Sequence, residues 1–262
     1  MERHKDSDVN VEGKPLSTAP KREADLARIR GHFAAMEAPW TWVFYGDSIT
    51  HGAVHTNGWR SFVEIFQERV RTEMARPMEC VINSGDDGHT LFWLINEKTY
   101  DWQVRRHHPN VVLVLLGRND IIRDESGGPE KFRERLTELT RRIRQDGAIP
   151  VLQTYNTMQL VEKPTLEYHK GYIRRYHEFP VYNGIIRDVA ATEDTILVDH
   201  RRFWEENASD PQVLDRWLEE PLHPGPYGHL QMAILILKEL GLYSPDSRCC
   251  AVKAGERQEG KD

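Results

Sequence analysis

The run Val111-Val112-Leu113-Val114-Leu115-Leu116 constrains the fold more than any other stretch of this chain. It is far shorter than the roughly 20 apolar residues a membrane helix needs. It also lacks the alternation of a strand with one wet face. An unbroken apolar run of this length suits a strand of a parallel sheet covered on both sides. It stops abruptly at Gly117-Arg118-Asn119-Asp120. Four more short runs have strand character: residues 41–46, Cys80-Val81-Ile82-Asn83, residues 149–154 and residues 195–199. Helical spacing fills the intervals. Leu26, Ile29, Phe33 and Met36 predict a helix over 21–37, and Trp59, Phe62, Val63, Phe66 and Val70 one over about 58–75. Leu91, Leu94, Ile95 and Trp102 predict a helix over about 90–105. Pro129 suits the first turn of a helix over about 129–146, which Gly147 ends. Further helices are expected over 181–192 and 227–240. Strands alternating with helices point to an α/β protein, a three-layer α/β/α sandwich around a mostly parallel five-stranded sheet.

The length of 262 residues fits one such domain, over 21–243, and 39% hydrophobic residues suffice for its core. Residues 1–20 form a polar arm and residues 244–262 a polar tail, both expected to be disordered. The net charge of −6 shows no basic excess, so nucleic acid is not an expected partner. No membrane span is visible, and the charged N-terminus has no apolar stretch behind it. Cys80, Cys249 and Cys250 make no disulfide framework, and the adjacent pair near the end resembles neither a metal site nor a core pair. A reducing compartment, the cytoplasm, is the simplest setting.

In a parallel sheet the strand ends lie along one edge, where ligand crevices form. Trp40-Thr41-Trp42-Val43-Phe44-Tyr45 leads into Gly46-Asp47-Ser48, so a serine is presented at that edge. Serine is also a common helix N-cap, and Ser48 taken alone suits that role better than catalysis. As a nucleophile it needs a base, an acid to orient the base, and donors for an oxyanion. Gly88, in Asn83-Ser84-Gly85-Asp86-Asp87-Gly88-His89-Thr90, and Asn119 sit after two other strands. The Ser48 and Gly88 N–H groups and the Asn119 amide are candidate oxyanion donors.

With these blocks in view the chain resembles the SGNH hydrolases, the GDSL-type esterases and lipases, from about residue 40 to 240. Gly46-Asp47-Ser48-Ile49 is similar to the first block of that family. The Gly88 loop resembles the second, Gly117-Arg118-Asn119-Asp120 the third, and Leu222-His223-Pro224 followed by Gly228-His229 the last. The resemblance implies a flavodoxin-like fold with Ser48 as nucleophile, His223 as base, and Ser48, Gly88 and Asn119 as the oxyanion hole. It implies no metal and no cofactor. The family usually has Asp three residues before the histidine; here Glu220 stands there, with Glu219 and Asp215 as fallbacks. A glutamate serves equally well in some Ser-His-acid sites.

Asp47, His51 and Arg118 are possible substrate contacts, although Asp47 also suits a loop-stabilising acceptor and Arg118 a surface ion pair. His55 and His89 belong to loops bordering the site and read as solvated; His229 reads as structural. The aromatic stretch 155–180 is either a substrate-side cap or packing. The implied activity is hydrolysis of a carboxylic ester on a small molecule, with a short acyl group on a carbohydrate favoured. A lysophospholipase or thioesterase of the same fold, or a non-catalytic carbohydrate- or protein-binding member, are the alternatives.

Overall fold

The computed structural model describes residues 20–35, 38–160 and 168–251. The arm expected over 1–19 and the tail beyond Ala251 lie outside the described residues. Five strands, β1 (Thr41–Gly46), β2 (Cys80–Gly85), β3 (Val111–Leu115), β4 (Ile149–Gln153) and β5 (Ile196–Val198), form one sheet in the order β2-β1-β3-β4-β5. Every neighbouring pair is parallel. The fold is the expected three-layer α/β/α sandwich. β1, β3 and β4 are buried nearly throughout, as their apolar runs require, whereas the edge strand β2 is exposed or half-buried.

The helices are α1 (Lys21–Ala35), α2 (Ser48–His51), α3 (Phe62–Glu68), α4 (Leu91–Leu94), α5 (Glu97–Gln103), α6 (Gly128–Gln145) and α7 (Tyr168–Thr192). They continue with α8 (His200–Asn207), α9 (Pro211–Trp217), α10 (Pro226–Glu239) and α11 (Arg248–Ala251). α3 packs beside α10 on one face of the sheet, and α6 beside α7 on the other. The period of two in β1 decides which side chains meet which layer. Trp42 and Phe44 turn to α3, where Phe66 lies 5.2 and 5.1 Å from their ring centroids. Tyr45 turns the other way, toward Tyr100, and its hydroxyl donates to the Leu94 carbonyl. Truncating an aromatic side chain in such a cluster costs about 3–5 kcal/mol.

Several boundaries differ from the periodicity. The helix expected from 58 begins at Phe62, because Ser61 and Glu64 form a capping box. Trp59 therefore lies outside it, exposed. The helix expected over 90–105 breaks at Asn96, whose side chain accepts from the Lys98 N–H and starts α5; Trp102 is exposed under Arg106. α7 begins 13 residues before the expected start, at Tyr168, and runs through Pro180. Phe179, Tyr182, Ile185, Ile186 and Val189 are all buried on it, and this packing offsets the local cost of the proline. The tail expected from Ser244 is ordered as far as Ala251. Ser247 Oγ and the Cys249 N–H donate to Glu73, and Cys249 is buried, so this cysteine does belong to the core.

Candidate active site

The strand order changes direction between β1 and β3, and a ligand crevice opens at the carboxyl ends of those two strands. Ser48 follows β1 there. The chain turns back over the end of its own strand, and a Cβ on Gly46 would lie 2.8 Å from the Leu115 carbonyl oxygen. Only glycine permits that turn. Asp47 caps α2 by accepting from the Ile49 N–H, leaving Ser48 as the first helical residue. Ser48 Oγ lies 2.9 Å from His223 Nε2.

His223 sits on a tight reversal between α9 and α10. Leu218 and Pro224 pair as an antiparallel bridge, and the Glu219 N–H donates to the His223 carbonyl at 3.0 Å. Glu220 curls into this reversal. Its carboxylate accepts from the N–H groups of Leu222 and His223, both at 2.9 Å, and from His223 Nδ1. The extra methylene of Glu relative to Asp is thus taken up by folding the side chain across its own backbone. Burial pushes the Glu220 carboxyl up, but the His223 hydrogen bond and charge, with the two backbone N–H groups, outweigh it and hold it below the usual range. An ionised acceptor at Nδ1 fixes the tautomer that leaves Nε2 free to accept the Ser48 hydroxyl proton. Glu220, rather than Glu219 or Asp215, is the carboxylate hydrogen-bonded to the imidazole.

Gly88 adopts the left-handed conformation, with φ of 74°, which favours glycine. Among the described residues neither its N–H nor that of Ser48 donates to a protein acceptor. The Asn119 side chain is held at both ends. Its Nδ2 donates to the His89 carbonyl at 3.0 Å, and its Oδ1 accepts from Arg175 Nη2 at 2.9 Å. The amide orientation is therefore set, and one Nδ2 hydrogen remains. Asp120, beside it, accepts from the Leu91 N–H at 2.9 Å and ties the β2 loop to the β3 loop.

Two of the expected substrate contacts are structural. Asp47 is buried and accepts from the Tyr155 hydroxyl at 2.7 Å. Arg118 is only 1% exposed; its guanidinium donates to the Leu222 carbonyl at 2.6 Å and to Asn156 Oδ1 at 2.8 Å. Neither group faces solvent, because each satisfies a buried partner instead. His51 does lie at the exposed rim, paired with Asp87 at 2.9 Å. Within 155–180, Tyr155, Tyr172 and Phe179 are core residues rather than a cap. His229 is buried and held neutral, its pKa pushed down to about 3 by burial, and Nδ1 accepts from the Phe62 N–H at the start of α3. Two residues escaped the sequence reading. Arg175 lies on the first half of α7, in the stretch 155–180 to which the sequence reading assigned no helix. His55, expected in solvent, stacks on His223 with ring centroids 3.7 Å apart and planes 4° apart.

His55, Glu220 and His223 also bring potential metal-ligand atoms within 4.8 Å of one another. The two rings are parallel, however, so their lone pairs lie in parallel planes and do not converge on one ion. The arrangement as it stands is a hydrogen-bonded serine–histidine–carboxylate relay.

A family model, the GDSL-like lipase/acylhydrolase family, matches residues 44–230. The chain belongs to this family. That makes it a carboxylic ester hydrolase by descent. Solved structures share its fold. An alpha/beta hydrolase enzyme from the metagenome of Lake Arreo, Spain, is 21% identical, with a TM-score of 0.62 over 79% of this chain and 98% of that one. An acetylxylan esterase from Geobacillus stearothermophilus, solved as a catalytic mutant, is 18% identical, with a TM-score of 0.62 over 77% and 94%. A further acetyl xylan esterase is 20% identical, with a TM-score of 0.60 over 76% and 98%. At these identities the likeness is one of fold. No curated protein matches the sequence. No helix among the described residues is long and apolar enough to cross a membrane.

Proposed function

We propose that this family member is a serine esterase that removes a short, acetyl-type acyl group from a carbohydrate or another small molecule. The observation that carries the reading is the 2.9 Å contact between Ser48 Oγ and His223 Nε2, with Glu220 on the far side of the imidazole. Ser48 Oγ attacks the ester carbonyl while His223 Nε2 takes its proton. The tetrahedral oxyanion is met by the Ser48 and Gly88 N–H groups and the free Nδ2 hydrogen of Asn119. His223 returns the proton to the departing alcohol oxygen, leaving an ester on Ser48. It then takes a proton from water, whose oxygen attacks that ester, and gives it back to Ser48 as the acid leaves.

The short-acyl preference draws on the polar rim. His51 lies 2.9 Å from Asp87 and His89 2.9 Å from Asp86 there, a polar surface poorly suited to a long acyl chain. Two fold neighbours that act on acetylated xylan point the same way. A cytoplasmic setting accompanies this reading, since Cys80, Cys249 and Cys250 are all free thiols.

The test is release of p-nitrophenol from the acetate, butyrate and octanoate esters, and of acetate from acetylated xylobiose. Wild type should prefer acetate, and Ser48→Ala should lose about 10³-fold or more in kcat. A preference for octanoate would overturn the short-acyl assignment. Equal inertness of folded wild type and Ser48→Ala on every substrate would overturn catalysis.

A further inference from the structure

The His223 ring is hydrogen-bonded at both nitrogens, to Glu220 and to Ser48, and the N–H and the lone pair of an imidazole are directed in the ring plane. The two hydrogen bonds fix the positions of Nδ1 and Nε2. They resist only weakly a rocking of the ring about the line joining those atoms. His55 lies where that motion would go, at 3.7 Å and within 4° of parallel. Among the described residues its ring makes no hydrogen bond, so what it offers His223 is its face. The ionisable groups around it are His223, Glu220 and Glu219 from the reversal before α10, Asp87 from the loop after β2, and His229 on α10. Burial first, and then the neighbouring His223, push the His55 pKa down.

We propose that His55 is a positioning residue for the base: its ring, stacked on His223, holds the imidazole plane in line with Ser48 and Glu220 and faces the imidazolium that forms as Ser48 attacks. This rests on the esterase reading above. An aromatic face attracts a cation stacked upon it and excludes water from that side. The contribution rises as positive charge develops on His223, so it acts on kcat rather than on substrate binding.

Three variants separate the face from bulk and charge. His55→Ala removes the ring and should lower kcat roughly tenfold with KM little changed. His55→Phe restores a flat face and should recover kcat to within about threefold of wild type. His55→Lys sets a positive charge against the imidazolium and should fall below His55→Ala. Wild-type kcat in His55→Ala, or His55→Phe no faster than His55→Ala, would overturn the proposal. A readout without substrate keeps it apart from the esterase reading: the NMR resonance of the His223 Nδ1 proton bound to Glu220. It should broaden by faster water exchange in His55→Ala and stay sharp in His55→Phe. Loss of the esterase reading would leave that contrast intact. An Nδ1 signal indifferent to all three variants would remove the stack as a positioning device, whatever the enzyme hydrolyses.

Discussion

Replacing Glu220 by Gln tests the least conventional member of the relay. The isosteric change keeps the size of the side chain but only one of its two acceptor oxygens: Oε2 takes the Leu222 N–H, and Oε1 takes the His223 N–H and Nδ1, each N–H at 2.9 Å. It removes the negative charge beside the imidazolium. Two unit charges about 4 Å apart interact by about 4 kcal/mol at an effective dielectric of 20, equivalent to about 10³ in rate. The Glu220 side chain is 31% exposed, and solvent screening trims that figure. With its NH₂ in the place of Oε1 the amide also favours the tautomer that cannot accept the Ser48 proton; with it in the place of Oε2 it faces the Leu222 N–H instead. Glu220→Gln should therefore lose about 10²–10³ in kcat, with KM within a few-fold and the melting temperature lowered by a few degrees for the lost backbone acceptor. Glu220→Asp keeps the charge but withdraws the carboxylate by one methylene, and should fall between the two. Steady-state hydrolysis of p-nitrophenyl acetate at pH 8 measures all three. If Glu220→Gln keeps a third of wild-type kcat while Glu219→Gln or Asp215→Asn collapses, the assignment of the acid is wrong.

Two further outcomes follow from the β3 loop. Arg175→Met removes the donor that holds Asn119 Oδ1 and should lower kcat by about 10–10², while the double variant with Asn119→Ala should be no slower than Asn119→Ala alone; additive losses would contradict the positioning role. Burial raises the Asp120 carboxyl to about 6, above the unfolded value of 3.8, so the folded state binds the extra proton between those values. Its stabilising contribution is complete below about pH 4 and is lost as the pH rises through 6. Asp120→Asn removes that dependence: the stability of wild type relative to the variant should fall by on the order of 3 kcal/mol between pH 4 and pH 7, read from urea unfolding at each pH. A difference that does not change with pH would refute it.

The sheet was legible because β3 announces a doubly covered strand and the neighbouring runs end in Gly, Asn, Asp and Ser. Ser48, Glu220 and His223, far apart in the sequence, are joined by hydrogen bonds. Side-chain direction at the strand ends was not legible. Nothing in Gly-Arg-Asn-Asp distinguishes an Arg118 that reaches solvent from one that turns beneath the site, and Asp47 poses the same ambiguity. The first half of α7 was not legible, since its packing is a tertiary effect that local propensity does not record. His55 was hidden because a loop histidine carries no pattern; its partner lies 168 positions away in the chain, between His55 and His223.

The residues misjudged in this way explain how four separate loops hold one geometry. Asp47 belongs to the β1 loop, Arg118 to the β3 loop, Tyr155 and Asn156 to the segment after β4, and Leu222 to the reversal that carries His223. The Tyr155 hydroxyl donates to Asp47, its ring lies 4.6 Å from the Arg118 guanidinium carbon, and Arg118 donates to Asn156 and to Leu222. The chain of contacts runs from the residue before Ser48 to the residue before His223, wholly inside the protein. Burial raises the Asp47 carboxyl and lowers the Arg118 pKa to about 10, so desolvation works against both charges. A buried pair of this kind is a weak source of stability, and well-packed apolar residues often do as well. Its effect is instead to fix direction: with both Arg118 Nη groups committed, one to Asn156 and one to Leu222, the Leu222 carbonyl is held in place, and His223 follows it. The same loops built on apolar packing alone would tolerate small slips. A slip of about 1 Å between nucleophile and base is enough to cost roughly 10² in rate. The buried arginine therefore belongs to the geometry of the proposed site, although its hydrogen bonds go to Leu222 and Asn156 rather than to Ser48.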